Sequence, residues 1–230
     1  MKQYILIISI FISNILSGQE LKKGLIMPSE DFEECCIYIP KSGLSIYESP
    51  DSEIVGKLTL GSPDNSNDVY SATIKIGNTQ EKIEFSNLHM VGYEVFALIY
   101  IDRVHQFLKI KRGYWLSMDE LKSKGLLTTS WMDYLIAKEN IMGWYANDPG
   151  LNLRAEPNVK AKIIETLKGD LWEITPTNEV QGLWCKVKVK EYKNHPCSGE
   201  DDQIIRELIG WVKLLADDQT PNVWNYAKGC

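Results

Sequence analysis

The strongest constraint on the fold is an internal repeat, in which two segments of the chain follow the same pattern. Residues 43–50 run in register with residues 150–157, since each segment begins with Gly-Leu and ends with proline. Further on, residues 107–111 match residues 184–188. Apolar and polar residues alternate in these segments, as is typical of half-buried strands. The repeat therefore predicts two copies of one small β unit rather than one undivided fold.

The N-terminus has the pattern of a secretory signal peptide. A single basic residue, Lys2, precedes an apolar run from Tyr4 to Ile12, and small residues follow up to Gly18. The run is shorter than the roughly 20 apolar residues that span a bilayer, and Gln19 stands where a lipoprotein would carry cysteine. We expect residues 1–18 to be removed from an exported protein, periplasmic or extracellular, with no membrane insertion of the mature chain. A buried N-terminal strand is the alternative.

The charge of the chain disfavours polyanionic partners. The sequence has 25 basic and 31 acidic residues, a net charge of −6, and removal of Lys2 with the signal peptide would make it −7. An acidic surface repels nucleic acid and anionic lipid. A mature length of about 210 residues suits two small domains better than one large domain.

Five cysteines in an exported chain leave at least one unpaired unless pairing occurs between chains. Cys35 and Cys36 are adjacent, which makes a bridge between them strained, and Cys230 is the last residue. The predicted pair is Cys185 with Cys197, which are close in sequence. Separate buried or free thiols are the alternative.

The repeats and the segments between them set the predicted domain boundaries. Serines at 117 and 130 can cap two short helices between the repeats, and Gly125 can end the first. Trp131, Tyr134 and Leu135 are expected to pack against a domain. The boundaries are 1–18 for the signal peptide, 34–116 for the first domain, 117–142 for a helical linker, 143–216 for the second domain and 217–230 for a C-terminal tail.

The two copies differ in where they are lengthened. Gly61 and Phe107 are 46 residues apart, whereas the matching Gly169 and Trp184 are only 15 apart. The extra segment of the first copy contains a Gly77-Asn78 turn between two alternating runs, which predicts a β-hairpin. The second copy has its extra length between residues 188 and 210. Long loops on a small scaffold commonly carry binding.

The second copy resembles bacterial SH3-like (SH3b) domains. The resemblance is weaker in the first copy, where Ser45 and Tyr47 replace Asn152 and Arg154. Within the repeat itself, Gly113-Tyr114-Trp115 of the first copy parallels Gly210-Trp211-Val212, which starts the closing strand of the second. The segments that carry the resemblance are Gly150-Leu151-Asn152-Leu153-Arg154-Ala155-Glu156-Pro157, Ile163-Ile164, Leu167-Lys168-Gly169-Asp170, Trp184-Cys185-Lys186-Val187 and Gly210-Trp211-Val212-Lys213.

The resemblance implies a small, five-stranded, partly open barrel in each copy. Together with the helices predicted between the repeats, this gives the expected fold class: mainly β, two small SH3-like, partly open barrels joined by a short helical linker. Members of this family are usually exported binding modules that target cell-wall peptides or proteins, and they often accompany peptidoglycan hydrolases. A barrel of about 60 residues has only a small core. We therefore expect function to lie in its loops and on the outward faces of its strands.

The aromatic residues of the second copy supply the candidate ligand-binding residues. Strict alternation from Trp184 to Lys190 places Trp184 on a polar face, opposite Val187. Rings beside polar groups can hold a peptide by stacking and apolar contact. The alternative is that these rings cap the barrel ends or pack on the bridging helices, and Asn152 is expected to hold the turn. The ligand-binding candidates are Arg154, Trp172, Trp184 and Trp211.

No catalytic or cofactor motif is complete. Cys197-Ser198-Gly199 resembles the nucleophile segment of papain-like cell-wall peptidases, but Pro196 replaces its Asp and no histidine follows to act as base. The acidic segment 64–68 lacks the glycine of a calcium loop. We therefore expect no enzyme activity, no cofactor and no metal site.

The sequence is compatible with three functional hypotheses. The first is a non-catalytic exported module that recognises a cell-wall peptide or an envelope protein, with two copies raising avidity. The second is a structural or assembly protein of the bacterial envelope. The third is a thiol-dependent hydrolase, which Cys197 would serve only if a base were placed beside it.

Overall fold

Antiparallel strands make up most of the chain, as the sequence predicts. The computed structural model describes residues 20–29, 36–137, 143–195 and 203–225. The predicted signal peptide, Cys35, Cys197 and Cys230 lie outside these residues. Three sheets and two short α-helices form the described part of the chain.

The strands and helices have the following bounds. The strands are β1 (Gly24–Pro28), β2 (Leu44–Tyr47), β3 (Ile54–Leu60), β4 (Ala72–Ile76), β5 (Thr79–Lys82), β6 (Leu88–Gly92), β7 (Val95–Val104), β8 (Phe107–Ile110), β9 (Trp115–Ser117), β10 (Leu126–Ser130), β11 (Tyr145–Ala146), β12 (Leu151–Arg154), β13 (Ile163–Leu167), β14 (Trp172–Gln181), β15 (Trp184–Tyr192), β16 (Ile204–Lys213) and β17 (Val223–Trp224). The helices are α1 (Met118–Ser123) and α2 (Trp131–Ile136), with 3₁₀ turns at Phe85–Asn87 and Gly169–Leu171.

Two of the sheets are large. The first sheet has the strand order β10-β1-β7-β8-β9-β2-β3-β4-β5, with β6 paired to β7 outside this path. The second sheet has the order β13-β12-β16-β15-β14, and a third sheet contains only β11 and β17. None of these sheets closes into a barrel among the described residues.

The internal repeat is visible in the strand order. The path β7-β8-β9-β2-β3 of the first sheet has the same connectivity as β14-β15-β16-β12-β13 of the second. In each path, a single residue pair joins the third strand to the fourth. Tyr47 of β2 pairs with Trp115 of β9, and Arg154 of β12 pairs with Trp211 of β16. A register shift precedes this pair in both copies, after Ile46 and after Leu153. Equivalent residues therefore occupy equivalent places in the two sheets.

The register corrects one detail of the sequence alignment. Because Trp115 and Trp211 occupy the same position, the predicted match of Gly113-Tyr114-Trp115 with Gly210-Trp211-Val212 is shifted by one residue. Gly113, with a φ of 92°, lies in the turn between β8 and β9, whereas Gly210 lies inside β16. The two glycines therefore serve different local structures.

Both predicted helices form, with the predicted caps. The side-chain oxygen of Ser117 accepts a hydrogen bond from the Glu120 backbone N–H, and that of Ser130 accepts one from Asp133. These bonds satisfy donors that the first turn of a helix leaves open. Between the helices, however, β10 pairs with β1 in the first sheet. The segment predicted as a helical linker therefore contributes a strand to the first sheet.

Residues 24–26 of β1 and 96–98 of β7 are buried on both faces of the sheet. Leu25 of β1 and Ala97 of β7 pack into one apolar cluster with α2 and the second sheet. Their neighbours Ile26 and Leu98 pack into a second cluster, inside the first sheet. This explains why these stretches are apolar without alternation, because a strand segment covered on both faces is a continuous apolar run. The two halves of the chain thus share part of a core.

The predicted hairpin of the long insertion is confirmed. Ile76 pairs with Thr79 across the Gly77-Asn78 turn, and β4 pairs with β3. The insertion therefore adds β4, β5 and β6 to the first sheet instead of forming a separate unit.

The predicted Cys185–Cys197 disulfide is wrong, because Cys185 has a free thiol. Its side chain is completely buried on the inner face of β15, where its sulfur contacts the backbone oxygen of Thr177 at 3.3 Å. The alternation of β15 directs this side chain into the core. Cys36 is disulfide-bonded, and Cys185 is not its partner.

Candidate binding face of the second sheet

The outward face of the second sheet carries most of the predicted ligand-binding residues. Along β15, Cys185, Val187 and Val189 are fully buried, while Trp184 and Lys186 are half-buried on the opposite face. This is the alternation that the sequence predicts, because successive side chains of a strand point to opposite faces.

Strand pairing brings these residues together. Arg154 lies opposite Trp211, and Trp211 lies opposite Lys186, so that the three form a row across β12, β16 and β15. Trp184 lies opposite Lys213 in the next outward row. Diagonal neighbours in such a sheet are about 7–8 Å apart, within reach of one peptide. We call Arg154, Trp184, Lys186, Trp211 and Lys213 the binding face.

The cations of the binding face differ in their partners. Nζ of Lys186 lies 2.9 Å from a carboxylate oxygen of Glu179, and Lys213 pairs with Asp217. The guanidinium of Arg154 instead donates a hydrogen bond of 2.8 Å to the Ala161 carbonyl oxygen. Among the ion pairs of the described residues, Arg154 takes part in none, so that its positive charge is available to a ligand.

Trp172 does not lie with the other three predicted residues. It stands opposite Glu191 on the inner face of β14 and is only 8% exposed. The Arg206 guanidinium lies 5.0 Å from the centre of its ring, a cation–π contact. Trp144 and Tyr145 are also buried. Trp144 packs against Tyr134 of α2, with 5.8 Å between ring centres, as the alternative of packing on a bridging helix predicts.

Asn152 has a different role from the predicted one. Its side-chain oxygen accepts a hydrogen bond of 3.0 Å from the Thr166 hydroxyl across β12 and β13, at the surface. The turn before β12 depends instead on Asn147, whose backbone oxygen accepts from the Gly150 N–H and whose amide donates to the Pro221 carbonyl oxygen.

The counterpart of the binding face in the first sheet is more enclosed. Trp115, the equivalent of Trp211, is only 8% exposed, and Nζ of Lys109 lies 5.5 Å from its ring centre. Tyr47 packs edge-on against Phe107, with 5.2 Å between ring centres. Consequently Tyr47 and Phe107 pack against each other and Trp115 packs against Lys109, which leaves these rings less accessible to a ligand.

A separate pocket of about 480 Å³ lies beside the turn before β12. Two carboxylates, of Asp148 and Asp170, and the ring of Trp224 line it. Tyr145 stacks near Trp224, with 5.2 Å between ring centres. Burial, together with the negative charges of Glu173 and Asp170, raises the pKa of Tyr145 to about 12. The sequence did not indicate this pocket, because its walls come from distant segments.

Comparisons with known proteins leave the chain without a family. No protein-family model, no curated protein and no solved structure matches it. The SH3b resemblance therefore rests on the quoted motifs alone. Among the described residues, no group of three or more histidine, cysteine or acidic side chains could hold a metal ion. Neither described helix has the length and apolar character needed to cross a membrane.

Proposed function

We propose that this chain is a non-catalytic, exported binding module that holds a cell-wall peptide or a segment of an envelope protein on the binding face. In this proposal each half of the chain derives from an SH3-like, partly open barrel. The observation that carries it is the convergence of Arg154, Trp184 and Trp211, three of the four predicted ligand residues, on one outward face.

The chemistry of the face suits an extended peptide. Half-buried indole rings offer apolar contact area to a peptide, and these rigid side chains lose little conformational entropy when they bind it. Arg154 offers a planar donor for carbonyl or carboxylate oxygens. The shallow, open form of the sheet suits a peptide better than it suits a small enclosed substrate.

A non-catalytic role also agrees with the state of the described thiol. Burial raises the pKa of Cys185, and nucleophilic cysteines need the opposite shift. Cys197, the candidate of the hydrolase hypothesis, lies outside the described residues. The proposal does not depend on it.

The test is retention of the purified protein on peptidoglycan sacculi and on immobilised envelope proteins. We expect retention on one of these materials, and the double variant Arg154→Ala, Trp184→Ala should weaken it at least tenfold, because each removed anchor contributes about 1 kcal/mol or more. A matched double variant, Lys75→Ala with Tyr93→Ala, removes an exposed cation and an exposed ring elsewhere. It should retain full binding. Retention on neither material, or equal loss in both variants, would refute the proposal.

A second candidate function, assembly of envelope proteins, is favoured by the apolar outer face of β16. Ile205 and Ile209 are 58% and 59% exposed, and Ile209 lines a groove of about 620 Å³ with Lys188 and Glu207. Exposed apolar patches commonly mark protein contacts. Cross-linking in cells that yields one stoichiometric protein partner, without any retention on wall material, would favour this candidate.

A further inference from the structure

We infer that the second sheet binds the terminal carboxylate of its peptide at Asn152, and that the first sheet has filled the corresponding position with its own Glu120. The inference rests on the proposed function, because it names which group of the peptide the binding face recognises. It comes from a comparison of the two copies within one chain.

In the first copy, a side-chain carboxylate accepts hydrogen bonds from β2 on the side of this strand that faces β9. The backbone N–H of Ser45 donates to both oxygens of Glu120, at 3.1 and 3.0 Å. The Ser45 hydroxyl donates to the same carboxylate at 3.2 Å. Nζ of Lys124, the residue that follows α1, lies 2.7 Å from this carboxylate and also donates to the Gly43 carbonyl oxygen. Two donors of Ser45 and one cation thus surround a single carboxylate.

Asn152 occupies the same position in the second copy. Ser45 pairs with Lys57 two residues before the junction with the closing strand. Asn152 pairs with Thr166, again two residues before that junction. Because the registers agree, the Asn152 N–H faces away from β13, as the Ser45 N–H faces away from β3. The side of β12 that faces β16 therefore presents the same backbone donor, two residues before the Arg154–Trp211 pair.

The second copy lacks the internal carboxylate. Glu120 lies five residues after Trp115, and the residue five positions after Trp211 is Ala216. In place of α1, the chain continues through Leu214 and Leu215, which are buried. Among the described residues no carboxylate takes the place of Glu120 at Asn152.

The remaining donors of this position are nevertheless present. The Asn152 amide nitrogen can serve as the Ser45 hydroxyl does, because the Thr166 bond occupies the amide oxygen. Lys168 is exposed and lies against Gly150: a Cβ placed there would be 2.7 Å from its Cγ. Gly150 is the equivalent of Gly43 in the repeat. Lys168 therefore lies beside Gly150 as Lys124 lies beside Gly43. Bonds from such donors to a carboxylate are charge-assisted and strong.

The layout of the binding face favours a carboxylate at the end of the peptide. Lys186 and Lys213 already pair with Glu179 and Asp217. The position for an anion therefore lies at the β12 end of the row, near Arg154. A peptide that crosses the tryptophan rings reaches this position with its terminus.

The experiment measures the affinity of the full-length exported protein for a synthetic wall stem peptide, prepared both as free acid and as C-terminal amide. We expect the acid to bind at least tenfold more tightly. Asn152→Asp keeps an oxygen for the Thr166 bond but adds a like charge. It should therefore weaken binding of the acid about tenfold and leave binding of the amide unchanged. Asn67→Asp makes the same charge change in an exposed turn of the first copy and should leave both affinities unchanged.

The outcomes separate this inference from the proposed function. Equal affinities for acid and amide, or an Asn152→Asp variant that binds like the parent, would overturn the carboxylate site while leaving the module a binder. Loss of affinity only when a side-chain carboxylate of the peptide is amidated would overturn the terminal assignment. A protein that binds neither peptide but is retained on sacculi or envelope proteins would also overturn the inference. Failure on the peptides and on all these materials would overturn the proposed function itself.

Discussion

The indole nitrogen of Trp144 donates a hydrogen bond to the Leu135 carbonyl oxygen, 3.0 Å away. Leu135 lies in the last turn of α2, where backbone oxygens have no partner within the helix. Trp144 is 1% exposed and packs in the cluster that joins α2 to the second sheet. This bond therefore fixes the contact between the two halves of the chain.

Replacing Trp144 by phenylalanine should lower the free energy of unfolding by about 1–3 kcal/mol, because it removes the donor and leaves the buried Leu135 oxygen unsatisfied. Urea denaturation followed by circular dichroism measures the change. Trp184→Phe, the same substitution on the binding face, should change the unfolding free energy by less than about 0.5 kcal/mol. Equal effects of the two substitutions would contradict the role of the bond.

Acid should destabilise the protein through His89. Its ring lies edge-on to Trp131 and Tyr134, with ring centres 5.0 and 5.4 Å away, and Nε2 is buried without a hydrogen-bond partner among the described residues. Burial lowers its pKa from 6.5 to about 4. The unfolded chain therefore binds this proton at a higher pH than the folded chain does. Stability that is present above pH 6.5 is lost as the pH falls towards 4.

Over that interval His89 should contribute a loss of up to about 3 kcal/mol. His89→Phe keeps an aromatic ring at this place and removes the titration. We expect the variant to lose less stability than the parent when the pH is lowered from 7 to 4.5, in thermal denaturation at both values. Carboxylates titrate equally in the two proteins, and therefore parallel curves would show that His89 is not the source.

The thiol of Cys185 should resist alkylation in the folded protein. It is fully buried, and burial raises its pKa, so that little reactive thiolate forms near neutral pH. Mass spectrometry of the peptide that contains Cys185, after iodoacetamide treatment with and without guanidinium, measures the protection. We expect modification only after denaturation. Rapid modification under native conditions would mean that the inner face of β15 is accessible.

The side chain of Gln219 should hold the segment before β1 against the second half of the chain. Its amide oxygen accepts from the Lys22 N–H at 2.7 Å, and its amide nitrogen donates to the Glu20 carbonyl oxygen at 3.0 Å. Gln219→Gly removes both bonds and suits the φ of 66° at this residue. We expect faster amide hydrogen exchange at Lys22 in this variant.

A matched control is Asp218→Asn, which removes only the ion pair with Lys23, 3.2 Å long and largely exposed. Exposed pairs contribute little to stability, and exchange at Lys22 should stay as in the parent. If both substitutions accelerate exchange equally, the Gln219 bonds do not hold the segment.

Local patterns in the sequence sufficed for local structure. The alternation from Trp184 to Lys190 predicted the two faces of β15. The capping serines predicted where both helices begin, and the Gly77-Asn78 turn predicted a hairpin. These features depend on neighbours within a few residues, and for that reason they could be read without knowledge of the rest of the chain.

Long-range pairing could not be read in the same way. The strands β1 and β10 lie about 100 residues apart in sequence, and neither contains a turn or an alternation from which its partner strand could be predicted. Trp172 was assigned to the ligand site because its place on a strand, and therefore its face, was not predicted. The Asn152 position emerged only when the two copies could be superposed strand by strand.

The position of β1 between β7 and β10 also constrains the order of folding. Residues near the start of the described chain must wait for Leu126–Ser130 before the first sheet is complete, whereas β14, β15 and β16 form a meander of neighbours in sequence. Contacts that are distant in sequence form slowly, since a long loop has to close first. A nascent chain would thus carry an incomplete first sheet, with the apolar strand β1 lacking its neighbour β10, until residues 126–130 had been synthesised.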